Sequence, residues 1–168
     1  MGRIVGLNKT NISVMNLPQI PSDGKHGELY FCNSFLRTFV KREKESSIFI
    51  KEFAIQGCGV ADFLLVKFNH RTQVKSLSAF EVKLTDWKQG LAQAFRYSYF
   101  ADNTFLILPE KKCSSALANL NVFEQLNIGL YGFNEENKKI KLHYAPASSK
   151  ALNRLLREKA EKTVYTRV

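Results

Sequence analysis

The sequence feature that most constrains the fold is a succession of three strand-length apolar segments joined by short links. The segments are "SSIFIKEFAI" at 46–55, "GCGVADFLLVKFN" at 57–69 and "LSAFEVKL" at 77–84. Short runs rich in β-branched and aromatic residues are typical of strands. Links of this length are too short for a crossover between parallel strands, so we predict an antiparallel meander.

Helical patterns precede and follow the meander. The first runs from Gly27 to about Lys44, and we predict that its buried stripe comprises Leu29, Cys32, Phe35, Leu36, Phe39 and Val40. The second runs over 86–101 with Thr85 as its N-cap, and its predicted core stripe is Trp87, Leu91, Phe95 and Tyr99. This second helix is long enough to carry the chain to a parallel fourth strand, "NTFLILPE" at 103–110.

The remaining segments complete a prediction of one α/β domain over residues 1–168, with a central mixed sheet flanked by helices on both faces. We predict an irregular arm at 1–25 with a short strand at 11–15, a core at 27–110 and an extension at 111–168. The extension contains a predicted helix at 114–127, two strands at 128–134 and 139–145, and a basic amphipathic helix from about Ser148.

The charge balance indicates a class of partner. The chain has 25 Lys and Arg against 15 Asp and Glu, a formal net charge of +10. Such an excess favours a polyanion, namely DNA, RNA or an anionic membrane surface, although a basic surface without a specific partner is the alternative. No apolar run is long enough to span a bilayer, and the first residues lack the apolar region of a signal peptide. We therefore expect an intracellular, soluble protein of the cytoplasm, nucleoid or nucleus.

Cysteine and histidine give no metal signature. Cys32, Cys58 and Cys113 are odd in number and far apart, and no C-x-x-C pair occurs. The sequence therefore predicts buried, reduced cysteines and neither a zinc ribbon nor a disulfide framework. The three histidines are equally scattered, so a histidine-based metal site is not expected.

Two opposite charges interrupt the third predicted strand. Side chains alternate along a strand, so Glu81 and Lys83 share one face. They could form a solvated salt bridge on an edge strand, an internal ion pair without function, or a site for a divalent metal and a phosphate. The third possibility gains weight from Asp62, since antiparallel pairing of 60–68 with 77–84 brings it close to Glu81.

This constellation resembles the PD-(D/E)XK nuclease superfamily, which has the restriction-endonuclease-like fold. Asp62 and Glu81-Val82-Lys83 match the family motif, with Ala61 where the family name has proline, and the predicted order from Gly27 to Leu108 is similar to the αβββαβ core. "QAFRY", Gln93 to Tyr97, resembles the Q-x-x-x-Y motif of RecB-type and Holliday-junction-resolvase-like nucleases. We expect this pair to lie off the core stripe of its helix, facing the site.

The resemblance implies a Mg²⁺- or Mn²⁺-dependent deoxyribonuclease. Asp62, Glu81 and the Val82 carbonyl would bind the metal, with Glu28 assisting directly or through water, and Lys83 would hold the attacking water or neutralise charge on the phosphate. Gln93 and Tyr97 would position the nucleic acid. Lys88 and Arg96, one helix face away, would contact phosphates.

Two alternatives stand beside this reading. The chain could be a non-catalytic, basic nucleic-acid-binding module, or a subunit of a larger nucleic-acid-processing complex. Within the enzyme class, a structure-specific endonuclease that resolves junctions would require a homodimer, because two symmetric cuts need two sites.

Overall fold

The computed structural model describes residues 13–15 as backbone, and residues 27–43, 47–70 and 73–168 in full. Within these ranges seven strands form one mixed sheet whose spatial order follows the chain. The strands are β1 (Ser13–Met15), β2 (Ser47–Ile55), β3 (Gly59–Phe68), β4 (Val74–Val82), β5 (Asn103–Pro109), β6 (Gly129–Asn134) and β7 (Lys139–Tyr144). The helices are α1 (Glu28–Val40), α2 (Trp87–Tyr97), α3 (Cys113–Leu117), α4 (Leu120–Leu126) and α5 (Arg154–Arg167), with a 3₁₀ turn at Glu110–Lys112.

The predicted meander is confirmed. β2 pairs antiparallel with β3, and β3 pairs antiparallel with β4. The turn between β2 and β3 depends on Gly57 and Gly59, which have φ of 87° and 98°. Residues with a Cβ rarely adopt these values, which explains the two glycines at this link.

The crossover from β4 to β5 through α2 is also as predicted, since β4 and β5 are parallel. The helix begins differently, however. Asp86 and not Thr85 is the N-cap, because its side chain accepts a hydrogen bond of 2.9 Å from the Gln89 N–H. α2 also ends at Tyr97, four residues before the predicted end.

The core occupies both faces of the sheet. On one face α1 packs over an aromatic cluster in which the rings of Phe63 and Phe80 stack at 4.4 Å between centroids. On the other face Tyr97 and Phe100 pack with Ala160 and Val164 of α5. The mixed sheet is therefore flanked by helices on both sides, as an α/β architecture requires.

Two predicted core positions are wrong. Leu29 is 58% exposed, and Phe31 takes its place in the buried stripe of α1. Tyr99 is 40% exposed, whereas the buried residues of α2 are Gly90, Leu91, Ala94 and Tyr97. A spacing of four residues advances about 400° around a helix of 3.6 residues per turn, so a strict four-residue repeat rotates off the buried face.

The C-terminal third differs from its prediction in two helices, since α5 begins at Arg154, six residues after the predicted start near Ser148. The segment predicted as one helix at 114–127 forms α3 and α4, separated at Asn119, whose backbone has φ −121° and ψ 31°. The Asn119 side chain donates to the Ser115 carbonyl at 2.9 Å, a local bond that competes with continued helix. None of the helices in the described residues has the length and apolarity to cross a lipid bilayer.

Gly90 lets α2 approach the sheet closely at the end of β4. A Cβ at this position would lie 2.6 Å from Leu106 Cδ1 and 2.7 Å from Lys83 Cγ. We expect Gly90→Ala to be less stable than the parent, because overpacking near the upper end of about 1–3 kcal/mol exceeds the ~1 kcal/mol that alanine gains over glycine in a helix. Urea unfolding measures the loss, with Ala92→Ser on the exposed face of α2 as the control, expected within about 0.5 kcal/mol of the parent. A Gly90→Ala protein as stable as the parent would contradict this packing.

Candidate active site

Asp62 and Glu81 lie side by side on the neighbouring strands β3 and β4. The register pairs Phe63 with Phe80, which places the two acids next to each other one step further along. Asp62 Oδ2 accepts a hydrogen bond of 2.7 Å from the Val82 N–H, so its carboxylate points towards the end of β4 and not away from it. The structure thus brings together the acids that the sequence places 19 residues apart.

Glu81 is buried and has two direct partners. Its side chain lies on a strand inside the sheet, is 2% exposed, and divides its oxygens between two groups. Oε1 is 3.0 Å from Lys83 Nζ, and Oε2 accepts a hydrogen bond of 2.6 Å from the Tyr97 hydroxyl. The solvated salt bridge on an edge strand is therefore excluded for this pair.

Lys83 connects the strand to helix α1. Its ammonium is 3.3 Å from Oε1 of Glu28, the first residue of α1, as well as 3.0 Å from Glu81. The backbone N–H of Lys83 donates to the Ile107 carbonyl of β5 at 3.0 Å, which fixes the start of its side chain. Lys83 thus lies between the acids that α1 and β4 contribute.

Tyr97 reaches the site from inside the core. It belongs to the buried stripe of α2, so the expectation that Tyr97 lies off that stripe is wrong. Its hydroxyl nevertheless faces the acids, because it donates to Glu81 and also lies 2.7 Å from the Val60 carbonyl of β3. Burial and this hydrogen bond to Glu81 raise the pKa of Tyr97 far above its usual range, so the phenol remains protonated.

Gln93 lies one helical turn before Tyr97 on α2. Its Oε1 is buried, and it has no hydrogen-bond partner among the described residues. An amide oxygen without a donor is uncommon in a folded protein and calls for an explanation. A buried water molecule is the kind of donor that satisfies such an acceptor.

Burial disfavours a negative charge on both Asp62 and Glu81. Burial and the neighbouring charge of Glu81 raise the pKa of Asp62 to about 7, against the opposing hydrogen bond from Val82. Burial also raises the pKa of Glu81, although Tyr97 and Lys83 both donate to it. For Lys83 burial favours the neutral amine, but the bonds and charges of Glu81 and Glu28 outweigh it and raise its pKa. Lys83 therefore keeps its positive charge beside two carboxyl groups whose ionised forms are disfavoured by burial.

Sequence reasoning missed two residues near the acids. Burial and the charge of Asp62 raise the pKa of Cys32 on α1 to about 12, while Lys51 of β2 acts in the opposite direction. Lys51 also donates a hydrogen bond to Oδ1 of Asn33 on α1. Cys32 stands four residues after Glu28, a helical spacing that could have placed both on one face, whereas nothing in the pattern of β2 marks Lys51.

The oxygens available here are the ligand type that Mg²⁺ and Mn²⁺ prefer. The charge of Glu81 raises the pKa of Asp62, and a cation close to both carboxylates would favour the ionised form of Asp62. Glu28, Asp62 and Glu81 are not among the described groups of three ligands whose atoms all lie within 4.8 Å of one another. The donor types therefore suit a hard divalent cation, but the oxygens of these three carboxylates do not all converge on one point.

The two predicted phosphate contacts lie at opposite ends of α2. Lys88 lines a cavity of about 580 Å³ together with Trp87, Lys111 and Lys112. Arg96 is exposed near Gly59 at the start of β3, since a Cβ on Gly59 would lie 3.9 Å from its guanidinium. Both are surface cations close to strands that carry the acids.

Comparison with known proteins adds little. No protein-family model matches the chain, and no curated protein does so. A solved structure of a protein of unknown function from Silicibacter pomeroyi is similar over 72% of this chain and 75% of its own, with 15% identity and a TM-score of 0.48.

The raised pKa of Asp62 predicts a pH-dependent stability. A carboxyl whose pKa rises from 3.8 to about 7 on folding binds its proton more tightly in the folded state. Stability is therefore lost as the pH rises from about 4 to 7. We expect Asp62→Asn to be more stable than the parent at pH 8, by on the order of 3 kcal/mol, and equal to it near pH 4.

Urea unfolding in EDTA at pH 4, 6 and 8 measures this difference. The exposed Glu124→Gln removes one carboxylate from α4 and should show no such trend. A parent protein that gains stability relative to Asp62→Asn between pH 4 and pH 8 would contradict the assignment.

Proposed function

We propose that this protein is a divalent-metal-dependent deoxyribonuclease of the PD-(D/E)XK type. The single observation that carries the proposal is the juxtaposition of Asp62 and Glu81 with Lys83, whose ammonium lies 3.0 Å from the Glu81 carboxylate. Two acids on adjacent strands, with an amine on the residue that follows β4, are groups that can serve metal-assisted phosphodiester hydrolysis.

The architecture supports the proposal. From α1 to β5 the elements follow the order helix, three antiparallel strands, helix and parallel strand, which is the order of the αβββαβ core. Gln93 and Tyr97 of the Q-x-x-x-Y motif stand on the helix after the E-x-K strand, and Tyr97 contacts Glu81 directly.

The chain's own residues divide the chemistry between orientation and charge. Tyr97 donates to Glu81 and holds its Oε2 in place, since a phenol with so high a pKa stays protonated. Lys83 supplies a permanent positive charge next to the acids, where it can orient a water and stabilise charge that develops on a phosphate. Mg²⁺ bound to Asp62 and Glu81 would polarise the phosphate and lower the pKa of a bound water.

A basic cavity next to this site is suited to the nucleic-acid backbone. Its lining includes Thr85 and Asp86, which follow Lys83 by two and three residues, and it carries the ammonium groups of Lys88, Lys111 and Lys112. Lys88 Nζ lies 5.8 Å from the centroid of the Trp87 ring, so an aromatic face is also present. Cations of this kind hold phosphates and fix the strand without reading its sequence.

Metal-dependent cleavage of DNA is the activity to test. We expect the purified protein to cut plasmid, linear, single-stranded or branched DNA in Mn²⁺ or Mg²⁺, and not in EDTA. Glu81→Gln and Lys83→Ala should each lower the rate by at least about 100-fold, because each removes a charge at the reacting phosphate.

Controls for cleavage are chosen to match the charge changes. Glu124→Gln and Lys139→Ala alter exposed residues far along the chain and should cut like the parent. DNA that is bound but not cut by the parent in Mn²⁺ would favour the non-catalytic binding module. Equal cleavage by the parent and Glu81→Gln would assign the activity to a contaminant.

The three lysines of the basic cavity should contribute to DNA binding. Replacing Lys88, Lys111 and Lys112 together by alanine should weaken binding of duplex DNA in EDTA. The slope of the logarithm of the association constant against the logarithm of the salt concentration is negative, and its magnitude should decrease by about 0.9 for each lysine that neutralises a phosphate. Fluorescence anisotropy at several salt concentrations measures both quantities.

A triple variant with the same change in charge separates local contacts from net charge. Lys139, Lys150 and Lys162 are exposed residues outside this cavity, and their joint replacement by alanine should leave most of the slope intact. Equal losses in the two triple variants would show that only net charge matters, and would remove the cavity from the proposal.

A further inference from the structure

A second group of ligand-type side chains follows the C-terminal end of β5 and does not include the acids described above. Glu110 and Cys113 come from the 3₁₀ turn and the start of α3, and His143 comes from β7. A carboxylate oxygen, the thiol sulfur and an imidazole nitrogen of these residues all lie within 4.8 Å of one another. The cysteines and histidines are scattered along the sequence, but the β6–β7 hairpin brings His143 close to Cys113, which lies 30 residues earlier.

A β-bulge and a glycine provide the space for these three side chains. Leu130 pairs with Tyr144 and Tyr131 pairs with Leu142, so His143 is the additional residue of a β-bulge. Bulges re-aim a side chain and are frequent beside functional sites. Gly132 on the facing strand leaves the space that the pair needs, since a Cβ there would collide with Glu110 Oε2 and lie 2.8 Å from His143 Nε2.

Burial and hydrogen bonding already orient the three side chains. Cys113 is 1% exposed and the side chain of His143 is 6% exposed. His143 Nε2 lies 2.9 Å from Glu110 Oε2, while the other oxygen of Glu110 is 4.0 Å from the Lys141 ammonium. The Cys113 thiol lies 3.6 Å from the Pro109 carbonyl. One carboxylate oxygen thus faces the cluster, and the second has an outer partner.

We propose that Glu110, Cys113 and His143 form a Zn²⁺ site with a water as the fourth ligand. Sulfur, imidazole nitrogen and carboxylate oxygen are the ligand types of protein zinc sites, and a thiolate does not suit Mg²⁺ or Ca²⁺. A tetrahedral ion with bonds of about 2.0–2.3 Å spaces its ligand atoms by less than the 4.8 Å limit that these three satisfy. Lys141 would act as an outer partner that orients the carboxylate.

Cys113 is poorly suited to act as a nucleophile without a metal. Burial and the charge of Glu110 raise the pKa of Cys113 to about 12, so the free thiol is protonated and a weak nucleophile. Zinc binding would release the thiol proton to solvent. The ion would then join the 3₁₀ turn, α3 and β7 and stabilise the folded state by mass action.

Metal analysis and cobalt substitution test the site directly. The protein, stripped with EDTA and dialysed, should bind one Zn²⁺ per chain and unfold at a higher temperature with Zn²⁺ than without it. Co²⁺ in place of Zn²⁺ should give a thiolate-to-cobalt charge-transfer band and the visible bands of a tetrahedral ion. Failure to bind Zn²⁺, or cobalt binding without the charge-transfer band, would overturn the proposal.

Variants locate the ligands. Cys113→Ser and His143→Gln should each weaken Zn²⁺ binding by at least about 100-fold, since even changes to outer partners weaken metal sites 10–100-fold. Cys58→Ser and His70→Gln alter the same residue types elsewhere and should leave both the affinity and the cobalt band unchanged. Unchanged binding in a folded Cys113→Ser protein, checked by circular dichroism, would contradict the assignment. Because Asp62 and Glu81 take no part, these results are independent of any nuclease assay.

Discussion

The burial of two carboxylates beside one ammonium group is the constraint on which the rest of the site depends. Glu81 is buried on a strand inside the sheet, and its neighbour Asp62 has a pKa of about 7 because burial and Glu81 both disfavour its charge. Isolated buried charges are strongly unfavourable, so these acids persist only because Lys83, Tyr97 and the Val82 N–H bind them. A hydrophobic isostere of Glu81 would pack more simply. The buried acids therefore do not contribute to stability as an apolar core residue would.

The surrounding fold holds this arrangement rigidly from several directions. Behind the acids, on the α1 face, stacked rings of Phe63 and Phe80 fix the two strands against each other. From the opposite face α2 brings the Tyr97 hydroxyl to Glu81, and Gly90 permits that helix to approach the stem of Lys83. From α1, Glu28 completes the pairing of the lysine. Contacts from several elements thus fix the side chains of the site relative to one another.

Much of this architecture could be predicted because local signals determine it. Short links and alternating strands fix the order β2–β3–β4, and that order in turn brings Asp62 next to Glu81. The register of α2 could not be read in the same way, since its aromatic residues recur every four positions while the helix repeats every 3.6, and Tyr97 becomes the buried one. The break at Asn119 depends on one side-chain bond to the backbone. The meeting of Cys113 with His143 depends on hairpin pairing and a bulge, which no local pattern records. The roles of Asp62, Glu81 and Lys83 stay predictions that rest on their geometry and on resemblance.

The two clusters differ in the ions that they would bind, which permits one measurement to test the central claim. Crystals soaked in Mn²⁺ and examined by anomalous diffraction at the manganese edge would locate the ion on the acids of β3 and β4. The account predicts a peak bonded to carboxylate oxygens of both Asp62 and Glu81, with water completing the octahedron. An occupied Mn²⁺ site elsewhere together with none on these two carboxylates, at a concentration that saturates the protein in solution, would contradict it.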